Sequence, residues 1–129
     1  SLLSDVPNSL PSLTAAVKLQ QKASKVGFDW NDPKAVLAKI KEEIGELENE
    51  LDHAKPDRMK DELGDILFAI ANLARHLDID PEAATRGTNQ KFRDRFNFIE
   101  DTIEAETGKS LKEASLEEME ALWQKAKRR

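Results

Sequence analysis

Apolar residues recur at helical spacing in two neighbouring stretches of the chain. The stretch from Pro33 to about Ala54 carries a stripe that consists of Val36, Leu37, Ile40, Ile44, Leu47 and Leu51. The next stretch, which ends near Leu77, carries a second stripe that consists of Met59, Leu63, Ile66, Leu67, Ile70, Ala74 and Leu77. Each pattern predicts an amphipathic helix whose stripe faces the core. Because only Lys55 and Pro56 separate the stretches, the two helices should form an antiparallel hairpin.

A further helix is predicted before the hairpin. It begins at Leu13, where Ser12 is placed to act as the N-cap and Gly27 to close the helix. Residues 1–12 contain two prolines and several serines around a few leucines, a composition typical of a linker. We therefore predict that the folded domain comprises residues 13–129.

Two more helices are predicted after the hairpin. The first follows the DIDP turn at residues 78–81 and directs towards the core an apolar stripe of Phe92, Phe96, Ile99 and Ile103. The last runs from about Ser115 to Lys127 and opens with Ser115 and Glu118 at the spacing of a capping box. Because no segment has the pattern of a strand, the sequence predicts an all-α fold, a bundle of about five helices.

Charge and composition narrow the class of protein. The chain has 129 residues, which is enough for one hydrophobic core without disulfides. Its net charge of -5 argues against a nucleic-acid polymer as partner, because phosphate contacts need a basic surface. It has no cysteine, which excludes disulfides and thiolate sites, and no apolar run approaches the roughly 20 residues that span a bilayer. We expect a soluble, cytoplasmic protein with no membrane partner.

Acidic residues form matched pairs on the two helices of the predicted hairpin. Each residue advances roughly 100° around a helix, which places Glu43 about 70° and Glu46 about 130° to one side of the first stripe. The same count places Glu62 about 80° and Asp65 about 140° from the second stripe, in the same sense. Both pairs lie at similar distances from the turn, so the four carboxylates should meet. They would repel one another unless a divalent cation lay between them, and an all-oxygen set suits Mg²⁺ or Mn²⁺.

Other carboxylates of the same stretch have an ordinary explanation. Exposed helical glutamates usually keep a surface soluble, which fits Glu42, Glu48 and Glu50. A di-iron bundle would need two Glu-x-x-His elements. Residues 50–53 supply one of them, but His76 lacks the glutamate three residues before it. An oxygen-only site remains the better interpretation.

A basic pair lies further along the chain. Lys91 and Arg95 are i,i+4 neighbours and share one helix face. Beside a metal site, two such cations are suited to the oxygens of a polyphosphate. On their own they would more often be surface charges paired with neighbouring acidic residues. The two tryptophans, Trp30 and Trp123, are of a type that belongs to the core or stacks on a base.

Several motifs together resemble one family. EExxE at residues 42–46 followed by ExxD at residues 62–65 is similar to the signature of the MazG nucleoside triphosphate pyrophosphohydrolases, in the all-α NTP pyrophosphatase superfamily. The segments VGFDW, DELGDILFAIANLARHL, NQKFRDRF and LWQKAK also resemble the C-terminal domain of two-domain MazG proteins. The opening SLLSDVPNSLPSL resembles the segment that joins their two halves. The resemblance covers nearly the whole chain.

The resemblance implies a fold, an activity and a set of site residues. The activity is Mg²⁺-dependent hydrolysis of a nucleoside triphosphate to the monophosphate and pyrophosphate. The implied metal-binding and catalytic residues are the four selected by helical geometry, namely Glu43, Glu46, Glu62 and Asp65. The implied substrate-binding residues are Lys91, Arg95, Arg58 (where relatives carry lysine), Trp123, Asn89 and Trp30. The family also implies a homo-oligomer, with a dimer as the expected form, whose subunits complete the bundle.

Two functions follow from the sequence. In the first, water attacks the triphosphate between the α and β phosphorus atoms and a carboxylate such as Glu46 accepts its proton. In the alternative, the chain is a catalytically weak helical oligomerisation module of a two-domain MazG protein. The module explains the apolar stripes but gives no reason for the matched acidic pairs.

Overall fold

A computed structural model describes residues 1–29, 32–53 and 55–129 of the chain. Within these ranges the chain has no strand and forms five α-helices. They are α1 (Ser12–Ser24), α2 (Pro33–Glu50), α3 (Pro56–His76), α4 (Pro81–Thr107) and α5 (Leu116–Lys127). Two short 3-10 turns, Leu51–His53 and Leu111–Glu113, follow α2 and α4. The predicted all-α class and the number of helices are confirmed.

The chain divides into two compact units, Ser1–Ala84 and Thr85–Arg129. The first contains α1, the α2–α3 hairpin and the first turn of α4. The second contains the rest of α4 and α5. Across the described part of the chain, none of the helices is both long and apolar enough to cross a membrane.

Local signals set the helix ends. The Asp32 side chain accepts a hydrogen bond of 2.7 Å from the Ala35 N–H, which caps α2 ahead of Pro33. Gly27 has a φ of 93°, and the neighbouring Phe28 N–H donates to the Ala23 carbonyl at 3.1 Å. This left-handed glycine closes α1 as predicted, after the regular helical hydrogen bonds have ended at Ser24.

The start of α1 differs from the prediction. Ser12 is already inside the helix, and Pro11 is its N-cap with no side-chain hydrogen bond. Pro11, with φ of -52° and ψ of 140°, leads into the helix without a side-chain acceptor for its first N–H groups. The capping box of α5 is confirmed, because Ser115 and Glu118 exchange hydrogen bonds of 3.1 and 3.0 Å.

In the first unit, α3 packs against both α2 and α1. The most buried apolar positions of this unit are Ala16 on α1, Val36 and Ile40 on α2, and Ile66 and Ala71 on α3. These side chains are small or branched near the backbone, which lets three helices approach closely. The predicted hairpin of α2 and α3 is thus the centre of this unit.

The buried face of the hairpin is rotated from the predicted one. Seven residues of the two predicted stripes remain exposed on the surface. One is Leu77, which follows the end of α3, and we call the other six the apolar stripe: Leu37, Ile44, Leu51, Leu63, Leu67 and Ile70. The prediction that they face the core of the chain is wrong. The hairpin buries the flank that carries Val36, Ile40 and Ile66, and within the first unit α1 packs on α3 and leaves the stripe uncovered.

The second unit has a smaller core. Ile99 and Ile103 are buried as predicted. Phe92 is 56% exposed and Phe96 is 38% exposed, so the prediction that both face the core is wrong. Instead their rings stack on one another with centroids 5.9 Å apart, and the ring of Trp123 lies 5.6 Å from that of Phe92. The aromatic rings pack against one another at the surface, because a unit of this size has too little core to enclose them.

Candidate active site

Three carboxylates converge on the α2–α3 hairpin. Glu43 on α2 and Glu62 and Asp65 on α3 each direct an oxygen to a common point, and these oxygens all lie within 4.8 Å of one another. We call them the carboxylate cluster. Glu43 is buried, Glu62 is half-buried and Asp65 is exposed. The cluster is a possible metal site, and its members are three of the four residues that the spacing selected.

Helical spacing explains why charged residues lie at the edge of the core. Glu43 follows Val36 by two turns of α2 and Ile40 by one, so it continues the buried line of that helix. Glu62 precedes Ile66 by four residues and continues the buried line of α3 in the same way. The packing of the hairpin therefore brings the carboxylates together without any loop.

The environment of Glu62 is unfavourable for its own charge. Its Oε2 atom is buried and has no hydrogen-bond partner, the one such side-chain atom among the residues described. Burial raises the pKa of Glu62, and the negative charges of Glu46, Glu43 and Asp65 raise it further. A buried acceptor without a partner is costly in free energy. A cation in the cluster would supply what this oxygen lacks.

Glu43 is stabilised as an anion by a residue that the sequence analysis did not select. The Lys39 ammonium lies 3.1 Å from Oε1 of Glu43 and 3.8 Å from Oε1 of Glu42. It holds the pKa of Glu43 below its usual value, although burial acts in the opposite direction. The i,i+4 spacing of Lys39 and Glu43 was the available signal in the sequence.

Glu46, the fourth predicted carboxylate, does not belong to the cluster. It is exposed on α2, one turn after Glu43, and its charge is close enough to raise the pKa of Glu62. The donor set nevertheless fits a hard divalent cation, because it offers only carboxylate oxygens and one of them is buried and unsatisfied.

The predicted substrate-binding residues are distributed between the two units. In the second unit, the guanidinium of Arg95 lies 5.4 Å from the centroid of the Trp123 ring. Lys91 and Arg95 line a groove of about 610 Å³ in the same unit, together with Asp94, Asn97, Phe98, Asp101, Ala126, Lys127 and Arg129. Asn89 is exposed on α4. The structure thus brings Lys91, Arg95 and Trp123 into one region of the second unit.

The other two predicted substrate residues lie earlier in the chain. Arg58, in the first turn of α3, is exposed and its Nη2 lies 3.7 Å from Oε1 of Glu50. Trp30 lies outside the described residues.

Two buried amides beside the cluster were not predicted. Gln20 on α1 is 8% exposed and Asn72 on α3 is 3% exposed. Both line a cavity of about 170 Å³ that Glu43 and Asp65 also line. Polar residues are rarely buried without a partner or a function. Helical spacing does place Gln20 on the buried face of α1, four residues after Ala16. The burial of Asn72 depends on how α1 packs on α3, for which periodicity within one helix gave no signal.

Comparison with known families adds independent information to this geometry. The family model of the MazG nucleotide pyrophosphohydrolase domain matches residues 31–98, more than half of the chain. The chain belongs to the MazG family. The range matched by the MazG model includes the carboxylate cluster together with Lys91 and Arg95, whereas Trp123 lies outside it.

Curated relatives extend the MazG similarity over almost the entire chain. A Thermotoga maritima protein named nucleoside triphosphate pyrophosphohydrolase/pyrophosphatase MazG is 42% identical over 127 residues, which is 98% of this chain and 48% of that protein. An Escherichia coli K12 protein named nucleoside triphosphate pyrophosphohydrolase is 44% identical over 130 residues, or 99% of this chain and 49% of that protein. An uncharacterized Bacillus subtilis protein, YabN, is 49% identical over 128 residues, or 98% of this chain and 26% of that protein. The chain spans about half the length of the first two relatives.

Proposed function

We propose that this MazG chain is a Mg²⁺-dependent nucleoside triphosphate pyrophosphohydrolase that converts NTP and water to NMP and pyrophosphate. The observation that carries the proposal is the carboxylate cluster, in which three acidic side chains converge and Glu62 keeps a buried oxygen without a partner. The same reaction is supported by the names of the Thermotoga maritima and Escherichia coli relatives, of which this chain spans about half.

In this proposal Glu43, Glu62 and Asp65 hold the cation, and Glu46 is either a further ligand or the base. When bound, Mg²⁺ (or Mn²⁺ in its place) lowers the pKa of a water molecule and neutralises charge on the phosphate oxygens. The chain's own contribution is the rigid hairpin, which fixes the carboxylates and hence the direction from which water reaches the α phosphorus. Glu46 is exposed beside the cluster and is not one of its members, so its carboxylate is the one left to accept the proton of that water.

Lys91 and Arg95 are proposed to bind phosphate oxygens of the substrate. Their support is chemical, since two cations on one helix face suit an anionic chain of oxygens. Trp123, which contacts Arg95, is proposed to lie near the nucleotide. Arg58, Asn89 and Trp30 retain the substrate-binding roles implied by the family resemblance.

Pyrophosphate release from a panel of nucleoside triphosphates tests the proposed reaction. With Mg²⁺ we expect turnover of at least one triphosphate to the monophosphate, with no diphosphate formed. With EDTA we expect turnover to fall to background, because the carboxylates alone cannot neutralise the leaving pyrophosphate. Phosphate in place of pyrophosphate as product, or silence on every triphosphate with Mg²⁺, would contradict the proposal.

A second candidate function, the oligomerisation module, is favoured by one observation. The apolar stripe exposes five large apolar side chains on α2 and α3 and a sixth, Leu51, in the 3-10 turn after α2, and a large exposed apolar patch marks a protein interface. We propose that the stripe packs against a second copy of the chain to form a homodimer, whether or not the chain is also an enzyme.

Leu67→Glu tests this interface. Leu67 lies within the apolar stripe, and burial of an unpaired carboxylate there should prevent association. We expect the wild-type chain to be a dimer and Leu67→Glu a monomer at micromolar concentration, measured by light scattering after size exclusion. Leu116→Glu is the matched control, because Leu116 is exposed on α5 outside the stripe. A monomeric wild type, or equal loss of dimer in both variants, would refute the interface.

A further inference from the structure

The cavity beside the carboxylate cluster is bounded by three helices. Glu43 and Asp65 line it together with Gln20, Val36, Lys39, Phe68, Ala69 and Asn72. Its volume of about 170 Å³ is below the roughly 300–1,000 Å³ typical of pockets that enclose a whole ligand. It therefore has room for one ring of a larger molecule, whose remainder would lie outside, next to the carboxylates.

The orientation of the Asn72 amide follows from its partner. Nε of Arg75 donates a hydrogen bond of 3.0 Å to Oδ1 of Asn72. Because a guanidinium can only donate, the amide oxygen must face Arg75. The amide NH₂ is then the group of Asn72 that can donate to an occupant of the cavity.

Arg75 is itself held on several sides. Its Nη2 donates to Oδ1 of Asp29 and lies 3.1 Å from Nε2 of His76. Only 13% of its side chain is exposed. A guanidinium fixed in this way loses little further freedom when it holds Asn72, so the direction of the amide is set before any ligand arrives.

We propose that Arg75 is a positioning residue for nucleotide binding, and that it holds Asn72 so that the amide NH₂ donates to an acceptor on the nucleobase. The inference rests on the proposed function, because the cavity adjoins the carboxylates assigned to the triphosphate site. Every nucleobase carries acceptor atoms on its edges, so the donor suits this class of ring. A second cavity of about 230 Å³ also borders Asn72, but none of the carboxylate cluster lines it, and we assign the base to the first.

The test measures binding separately from turnover. Calorimetric titration with Mg²⁺ and α,β-methylene triphosphates, in which the scissile oxygen is replaced by carbon, gives the dissociation constant for each base. We expect Arg75→Gln and Asn72→Leu each to weaken binding about 5- to 10-fold, the worth of one oriented hydrogen bond. The double variant should bind no more weakly than Asn72→Leu alone, since both changes remove the same contact.

Lys22→Gln is the matched control. It removes the ion pair of 2.5 Å between Lys22 and Asp5, on a side chain that does not line the cavity, and should leave binding within about twofold. If Arg75→Gln does not fold by circular dichroism, Arg75→Lys keeps a cation with a single donor head and should weaken binding by less than Asn72→Leu does. A smaller loss of affinity in Arg75→Lys than in Asn72→Leu supports the proposal. A dissociation constant for Arg75→Lys equal to that of the wild type overturns it.

The remaining outcomes separate the two proposals. The positioning role of Arg75 is overturned if the losses of binding free energy in the two single variants add up in the double variant. It is also overturned if the wild type fails to bind any analogue. A wild type that binds the analogues with the expected variant pattern, yet releases no pyrophosphate from natural triphosphates, supports the positioning role and refutes the hydrolase.

Discussion

Asp65→Asn is expected to lower the rate of triphosphate hydrolysis by about 10²- to 10³-fold with saturating nucleotide and Mg²⁺. The substitution keeps the shape of the side chain and removes one negative charge from the carboxylate cluster. A bound cation contributes several kcal/mol to the stabilisation of charge in the transition state, and each 1.36 kcal/mol corresponds to about tenfold in rate. Steady-state pyrophosphate release measures the effect.

Asp61→Asn provides the matched control for this measurement. Asp61 lies one turn before Asp65 on α3, is exposed and is not a member of the cluster. Its substitution removes the same charge from the same helix and should change the rate by less than about threefold, through long-range electrostatics alone. Equal rates for Asp65→Asn and wild type would remove the cluster from the catalytic site, provided that circular dichroism reports the same helix content.

Glu62→Gln is expected to have opposite effects with and without a cation. In EDTA at pH 8 the variant should unfold at a higher temperature than the wild type, because it lacks a charge that burial and three neighbouring carboxylates disfavour. With Mg²⁺ at 100 times its dissociation constant, the wild type should gain about 2.7 kcal/mol. For a domain of this size that gain is about 10 °C in melting temperature, and Glu62→Gln should lose most of it.

The pH dependence of this difference follows from the direction of the shift. The pKa of Glu62 in the folded protein is raised above its usual 4.5, so the folded state binds the proton more tightly than the unfolded chain does. The stability from the protonated carboxyl is fully present below about pH 4.5 and is lost as pH rises through the folded-state pKa. In EDTA the two melting temperatures should therefore converge near pH 4 and separate towards pH 8.

Glu48→Gln serves as the reference variant for these melts. Glu48 is exposed on α2 outside the cluster, so its removal should leave both the EDTA melt and the gain from Mg²⁺ unchanged. A Glu62→Gln protein that melts below the wild type in EDTA, and still gains the full increment from Mg²⁺, would show that Glu62 is stabilised in the cluster without a cation.

The hairpin and the convergence of its carboxylates could be predicted because both depend on local rules. Pro33 and Pro56 set where α2 and α3 begin, and the short connection leaves antiparallel packing as the simple solution. Helical angles then placed Glu43, Glu62 and Asp65 on facing edges. These are properties of one helix or of two adjacent ones, and a single sequence contains them.

Which face of the hairpin is buried could not be predicted from such local rules. Leu63 and Leu67 belong to the predicted apolar stripe of α3 and are exposed, whereas Ala71 and Asn72 lie outside that stripe and are buried. The choice depends on where α1 packs against α3, which periodicity within one helix does not encode. For the same reason neither Asn72 nor its link to Arg75 could be predicted, since buried polar side chains are recognised only through their partners.

The carboxylate cluster is local in the chain, because its three members fall within residues 43–65. Contacts of such short sequence separation form early and fast in folding, since little loop entropy has to be lost first. A cation that binds there would act on the hairpin before α5 has been synthesised or packed. Such a cation would therefore favour the pairing of α2 with α3, the helix against which α1 packs.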